Sequence, residues 1–361
     1  MASTKGFTPF SQIIGQERAI RFLKQAVARE KIPHAYLFAG IPGVGKTSTA
    51  VALMQAVNCR EPVGQEGCGC CMPCRQIMNG TFPDFELLGP EGQSIKIEQI
   101  RNLDRSLGFM PLSGRYRVSV VRQAETMTDE AANAFLKTLE EPPLGNILVL
   151  TVIDPLDLLP TIVSRCQKVP FLPIPARLIE EWLMAEKGLE KAKASLLAKI
   201  SVGSLGRAME MCESDYLEKR REYLLRVIDL PRLSTEEALE MALEQTGRQK
   251  KKEAERPDRG ETGVPGLLAT WKTWFRDLIV VKTTGHDGTV INMDFSSELK
   301  NMSKDFTIDY LIDSLFVLDQ AERDYLRFRN VDLMMENTVL RLRKTELKKN
   351  LMPVRRQFEN E

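Results

Sequence analysis

The stretch Gly40-Ile41-Pro42-Gly43-Val44-Gly45-Lys46-Thr47 constrains the fold more than any other part of the chain. It matches the full G-x4-G-K-[ST] pattern of a phosphate-binding loop, which works only between a buried strand and the first turn of a helix. "AYLFAG" (35–40) supplies a short apolar strand, and residues from Lys46 to about Asn58 supply the helix. The glycines Gly40, Gly43 and Gly45 let backbone N–H groups turn inward. The helix N-terminus adds partial positive charge, Lys46 reaches the outer phosphates, and Thr47 offers a hydroxyl to Mg²⁺. A strand–loop–helix unit of this kind implies a mostly parallel sheet with right-handed crossovers.

The rest of the first 170 residues agrees with that. A helix is expected over 14–30, where Ala19, Ile20, Leu23, Ala26 and Val27 fall at helical spacing. Strands are expected at 84–89, 116–121 and 146–153, with a helix around 97–107. Thr128 can cap a further helix, Asp129 and Glu130 suit its positive end, and Pro142-Pro143 stops it. "VPFLPIPAR" (169–177) reads as a stiff linker. Helices are then expected at about 176–186, 189–201 and 205–213, and nearly all of 215–361 reads as helical. The turn-rich segments 249–266 and 283–292 are the exceptions.

One strand lacks the residues that normally accompany such a loop. A phosphate-cleaving site places an acid for Mg²⁺ and a residue for the attacking water where a neighbouring strand leaves the sheet. After Val118, Val120 and Val121 this chain has Arg122 and Gln123, which cannot serve. Asp129 and Glu130 stand at a helix start, where first-turn charge is their ordinary role, while Asp84 and Glu86 begin a strand rather than end one. Hydrolysis by this chain's own residues is therefore expected to be lost.

The cysteines carry the second signal. Five of the seven lie between Cys59 and Cys74, and the odd total with no secretion signal argues against a disulfide framework. Cys59, Cys68, Cys71 and Cys74 read C-x8-C-x2-C-x2-C, a spacing that turns thiolates onto one tetrahedral ion. We read a structural Zn²⁺ site, since four thiolates leave no open position for catalysis. Cys70 is surplus and could replace a neighbour. The bland alternative, free thiols in a loop, would leave five oxidation-prone groups in one segment.

With 50 Lys+Arg against 49 Asp+Glu, net charge gives no general attraction to nucleic acid. No apolar run is long enough to span a membrane, and a cytoplasmic protein is expected. Lys250 to Lys252 read as solvated loop, His34 as a packing residue, His286 as a loop residue, and Trp182, Trp271 and Trp274 as core.

Together "IIGQERAI", "HAYLFAGIPGVGKT", the four-cysteine insert, "NAFLKTLEEPP" and "SRC" (164–166) resemble, in order and spacing, the bacterial clamp-loader subunits of the AAA+ class. Those are the clamp loaders of the DNA polymerase III holoenzyme. "NVDLMMENTVLRL" (330–342) looks like the family's last collar helix. The resemblance implies an α/β fold: an AAA+ P-loop domain over 1–172 with a zinc module at 59–74. A small helical lid domain over 173–214 and an all-α collar domain over 215–361 would follow. The missing acids make the chain similar to the loader's non-hydrolysing stator. Its implied partners are the motor (gamma/tau) subunits and delta, with the sliding clamp and primer–template DNA reached through the complex and no membrane.

The resemblance maps an in-trans arginine finger onto Arg165, which by composition alone is an ordinary surface arginine. Two departures agree with the lost acids. Val152 and Ile153 stand where the motor subunits carry a polar sensor, and Gly206 moves Arg207 one place beyond their lid arginine. The loop itself is retained either as a structural site for ATP or ADP with Mg²⁺ or as a relic that binds nothing. The rival readings are an ATP-hydrolysing motor subunit and an independent ATPase using unconventional acids such as Asp129 or Glu130.

Overall fold

The computed structural model describes residues 9–252, 263–285, 290–326 and 330–351 and divides into two compact units, Met1–Ala208 and Met209–Glu361. His286 and residues 253–262 of the loop expected over 249–266 lie outside the described residues. The ends of that loop are helical: Gln249 to Lys252, including the three lysines read as loop, close the helix Thr235–Lys252, and Gly263 to Gly266 open the helix Gly263–Thr284.

The first unit runs α1 (Glu17–Ala28), β1 (Ala35–Ala39), α2 (Lys46–Asn58), α3 (Met72–Met78), β2 (Phe85–Leu88), α4 (Ile97–Leu107), β3 (Arg117–Val121), α5 (Asp129–Glu140), β4 (Asn146–Val152), α6 (Pro160–Val163) and β5 (Gln167–Pro170). Three more helices follow: α7 (Ala176–Lys187), α8 (Lys191–Ile200) and α9 (Leu205–Glu213), the last running past the end of the first unit at Ala208. All strand pairs are parallel, in the order β2-β3-β4-β1-β5. Every residue of β3 and of β4 is buried, as befits central strands of a sheet covered on both faces. One face packs against α2 through Tyr36, Phe38, Leu53, Val118, Val120 and Val149; the other packs against α4 and α5 through Leu37, Ile100, Phe135 and Leu150.

The P-loop sheet is thus as expected, with one strand that the sequence reading did not contain. Val169 and Pro170, assigned above to a linker, close β5 at the sheet edge, where Tyr36 to Ala39 pair with Gln167 to Pro170. The strand is short, only Val169 of it is buried, and a proline is tolerated there because it lies at an edge. The alternating pattern that reveals longer strands therefore never develops. Two smaller expectations also fail: Trp182 is only half-buried, and His34 is exposed.

The Thr128 cap is present, its side chain accepting from Ala131 N at 3.3 Å. Asp84 has no accessible surface and accepts N–H bonds from Leu112, Ser113 and Gly114 at 2.7, 2.7 and 2.8 Å. Arg117 lies 3.5 Å away. Burial works against this carboxylate's charge, but the three N–H groups and Arg117 hold it below its ordinary range. It anchors the 112–114 turn and does not face the P-loop.

The second unit is helical among its described residues: α10 (Tyr216–Asp229), α11 (Thr235–Lys252), α12 (Gly263–Thr284), α13 (Ser296–Asp305), α14 (Ile308–Leu326) and α15 (Val331–Leu351). Trp271 and Trp274 on α12 are fully buried at its centre, and Trp271 Nε1 donates to Tyr223 O at 2.8 Å. No described helix is long and apolar enough to cross a membrane.

Candidate functional site

The loop after β1 forms because three glycines take backbone shapes that side chains resist, with φ of 155°, 76° and 97° at Gly40, Gly43 and Gly45. Lys46 opens α2 and turns back on the loop, its ammonium donating to the carbonyls of Gly40 and of Ile41, the latter at 3.0 Å. Burial lowers the Lys46 pKa to about 8, and the nearby Glu125 carboxylate works against that fall.

Residues 203–207 close over the loop. Ser204 caps α9 by accepting from Arg207 N at 3.1 Å. Gly206 N donates to Gly43 O at 2.9 Å. A side chain at Gly43 would overlap Ser204 Oγ, and a Cβ at Gly206 would sit 2.9 Å from Gly43 Cα. The glycine that displaces Arg207 along the sequence is therefore the one that lets two backbones touch.

At the end of β3 stand Arg122 and Gln123, and Arg122 turns toward the neighbouring strand. Its guanidinium lies against Gly89 at the end of β2, within 3.3 Å of where a Cβ would stand. Gln123 adopts φ 53°, turning the chain sharply, and its N–H donates to Thr151 Oγ1 at 3.3 Å. That turn brings in Glu125, which the sequence reading missed. Glu125 is half-buried and interacts electrostatically with Lys46. Burial raises its pKa, Lys46 opposes the rise, and Oε2 has no hydrogen-bond partner among the described residues. Asp129 and Glu130 lie instead in the first turn of α5.

Arg165 lies between α6 and the edge strand β5, two residues before Gln167. Its guanidinium donates to Glu140 Oε1 at 2.6 Å and to Thr161 O at 2.9 Å, with about a third of the side chain exposed. Neighbouring Cys166 is buried, and burial pushes its thiol up to about 12, which leaves it an inert core residue.

The cysteines converge. The sulfurs of Cys59, Cys68, Cys71 and Cys74 all lie within 4.8 Å of one another. Cys59 ends α2, Cys71 caps α3, and Cys74 lies on its first turn. Cys59 and Cys71 Sγ are 3.8 Å apart, the separation that tetrahedral bonds of about 2.3 Å to one ion require. Cys68 N donates to Cys59 Sγ at 3.2 Å and Cys71 N to Cys68 Sγ at 3.3 Å. The N–H groups of Cys71 and Cys70 draw the Cys68 thiol down to about 6, whereas burial pushes Cys74 up. Cys70 is exposed and stands outside the four, 3.4 Å from Cys68 Sγ. Glu66 ties the insert to the body through Lys24 at 2.5 Å and Ser11 at 2.9 Å. The four thiols can hold one metal ion.

Residues 15–175 match the family described as DNA polymerase III, delta subunit. The chain is 29% identical to the DNA polymerase III subunit delta-prime of Bacillus subtilis over 91% of this chain and 96% of that one. It is 33% identical to the DNA polymerase III subunit tau of Escherichia coli over 56% of this chain, spanning 32% of that longer protein. Among solved structures, a DNA polymerase III gamma subunit-related protein of Thermotoga maritima is similar with a TM-score of 0.47 and 19% identity, over 90% of this chain and 98% of that one. Along nine-tenths of its length, the chain is similar to the DNA polymerase III subunit delta-prime of Bacillus subtilis.

Proposed function

We propose that the chain is a non-hydrolysing, stator-type subunit of the bacterial replicative clamp loader, resident in the cytoplasm. It helps ATP-driven loading of the sliding clamp onto primer–template DNA, in a complex with motor (gamma/tau) subunits and delta. The observation that carries the reading is the end of β3: Arg122 and Gln123 stand where metal and water ligands are needed, while Arg165 remains in place beside the edge strand. The relatives named delta-prime and tau support the same assembly. In this reading residues 1–172 form the P-loop domain, 173–214 the lid and 215–361 the collar. Arg165 completes the phosphate site of a neighbouring motor subunit. Zn²⁺ held by Cys59, Cys68, Cys71 and Cys74 stiffens the 59–74 insert, and the thiolate donor set favours it over harder ions.

Gly40, Gly43, Gly45, Lys46 and Thr47 are the residues that would hold ATP or ADP with Mg²⁺. For phosphate to enter, Lys46 must first give up its bonds to the loop's own carbonyls.

A second reading, an ATP-hydrolysing motor subunit, has one observation in its favour. Glu125 is a carboxylate near Lys46 with an unpartnered oxygen. Steady-state ATPase measurement on the isolated chain separates the two. We expect no turnover above background in wild type, Lys46→Ala or Glu125→Gln. Turnover that vanishes in both variants would establish the motor reading instead.

A further inference from the structure

Gln55 is only 1% exposed, and neither its Oε1 nor its Nε2 has a hydrogen-bond partner among the described residues. A buried amide left in that state carries an uncompensated desolvation penalty, which a leucine or methionine in the same place would avoid. Buried polar groups are otherwise partnered, so each exception calls for a cause.

The position supplies one. Gln55 lies in α2 one turn before Cys59, and residues four apart share a helix face. A Cβ built on Gly67 would lie 3.0 Å from Gln55 Cβ and 3.2 Å from Cys74 Sγ. Only a glycine separates the glutamine from that sulfur, well within the reach of its amide. Four thiolates around a divalent ion leave excess negative charge on the sulfurs, which must be met by water or by N–H donors. Cys59 and Cys68 each receive a backbone N–H. Cys74 has no accessible surface, so water cannot serve it, and the Gly69 N–H is the backbone donor that faces it.

We propose that Gln55 is a positioning residue of the metal centre, its amide turning to donate an N–H bond to Cys74 Sγ when the four thiolates hold the ion. The inference rests on the metal reading of the cysteine cluster. It gives the buried glutamine the partner it otherwise lacks.

The test compares the full chain with Gln55→Met, which keeps the length and removes the donor. Zinc affinity is read by competition with a chromogenic chelator, and the Co²⁺-substituted protein by its sulfur-to-metal charge-transfer band. We expect zinc binding to weaken about 10- to 100-fold, the usual effect of losing such a partner, and the Co²⁺ band to shift. In the metal-free state Gln55→Met should unfold at or above the temperature of metal-free wild type, because an orphaned amide has been removed. A packing role would predict the reverse pair of results. Zinc affinity within twofold of wild type, with wild type itself metal-loaded, overturns this inference alone. Wild-type protein that holds no zinc overturns both this inference and the zinc reading.

Discussion

Replacing Asp84 by Asn should destabilise the first unit by about 3–5 kcal/mol, the usual cost of removing one partner from a buried charged group. The carboxylate accepts three N–H bonds, from Leu112 through Oδ1 and from Ser113 and Gly114 through Oδ2. An amide keeps only one oxygen. If that oxygen faces Ser113 and Gly114, the new NH₂ points at the Leu112 N–H and at Arg117, which is 7% exposed and loses its counter-charge. One orphaned donor costs about 1–3 kcal/mol, and the uncompensated guanidinium adds to it. Against a typical total of about 5–15 kcal/mol, the loss is large.

Hydrogen exchange of the β2 and β3 amides in increasing urea isolates this unit from the helical one. Because the folded carboxyl titrates below its ordinary range, its contribution is present above about pH 4 and is lost as pH falls through the folded value. The gap between wild type and variant should therefore narrow in acid. A change under about 1 kcal/mol at neutral pH, or a gap that widens on acidification, would refute the reasoning. Zinc content should not change.

Protein purified without added zinc should contain near-stoichiometric metal, and Cys71→Ser should lower it; full metal content in that variant would transfer the role to the neighbouring Cys70. Loss of metal should loosen residues 59–74 before the sheet, as local exchange rates would report. Gly206→Ala should push the first turn of α9 off the P-loop and break the Gly206–Gly43 hydrogen bond, so amides 204–207 should exchange up to about tenfold faster for a bond of about 0.5–1.5 kcal/mol, while unchanged exchange would show the contact to be absent in solution.

What the sequence made legible was whatever local spacing can encode. The strand, loop and helix around Lys46 and the cysteines of the insert needed only neighbours along the chain to declare themselves. Arg122 and Gln123 were readable as a loss for the same reason. Glu125 was not, because its approach to Lys46 depends on the left-handed turn at Gln123, which an ordinary glutamine does not advertise. The Gly206–Gly43 contact joins segments far apart in sequence, so Gly206 read only as a residue that displaces Arg207. β5 was hidden by its brevity and its proline, and the pairing of Arg165 with Glu140 spans 25 residues. Only Gln55, buried where a hydrophobic residue would be ordinary, shows its oddity once burial is known.

The central claim is that a subunit without its own catalytic acids serves its neighbour through Arg165. In the isolated chain that arginine rests on Glu140, a partly exposed pair worth about 1 kcal/mol or less, so a phosphate group can take it at little cost. The direct test is a reconstituted clamp loader in which Arg165→Ala replaces the wild-type chain, with ATP turnover and clamp loading followed together. An in-trans arginine is worth roughly 10³-fold or more in well-studied phosphoryl transfer, and less where other sites in the ring carry part of the flux. The account predicts that the variant chain stays folded and metal-loaded while the assembled loader turns over ATP and loads clamps more slowly. A loader containing Arg165→Ala that does both at the wild-type rate would contradict it.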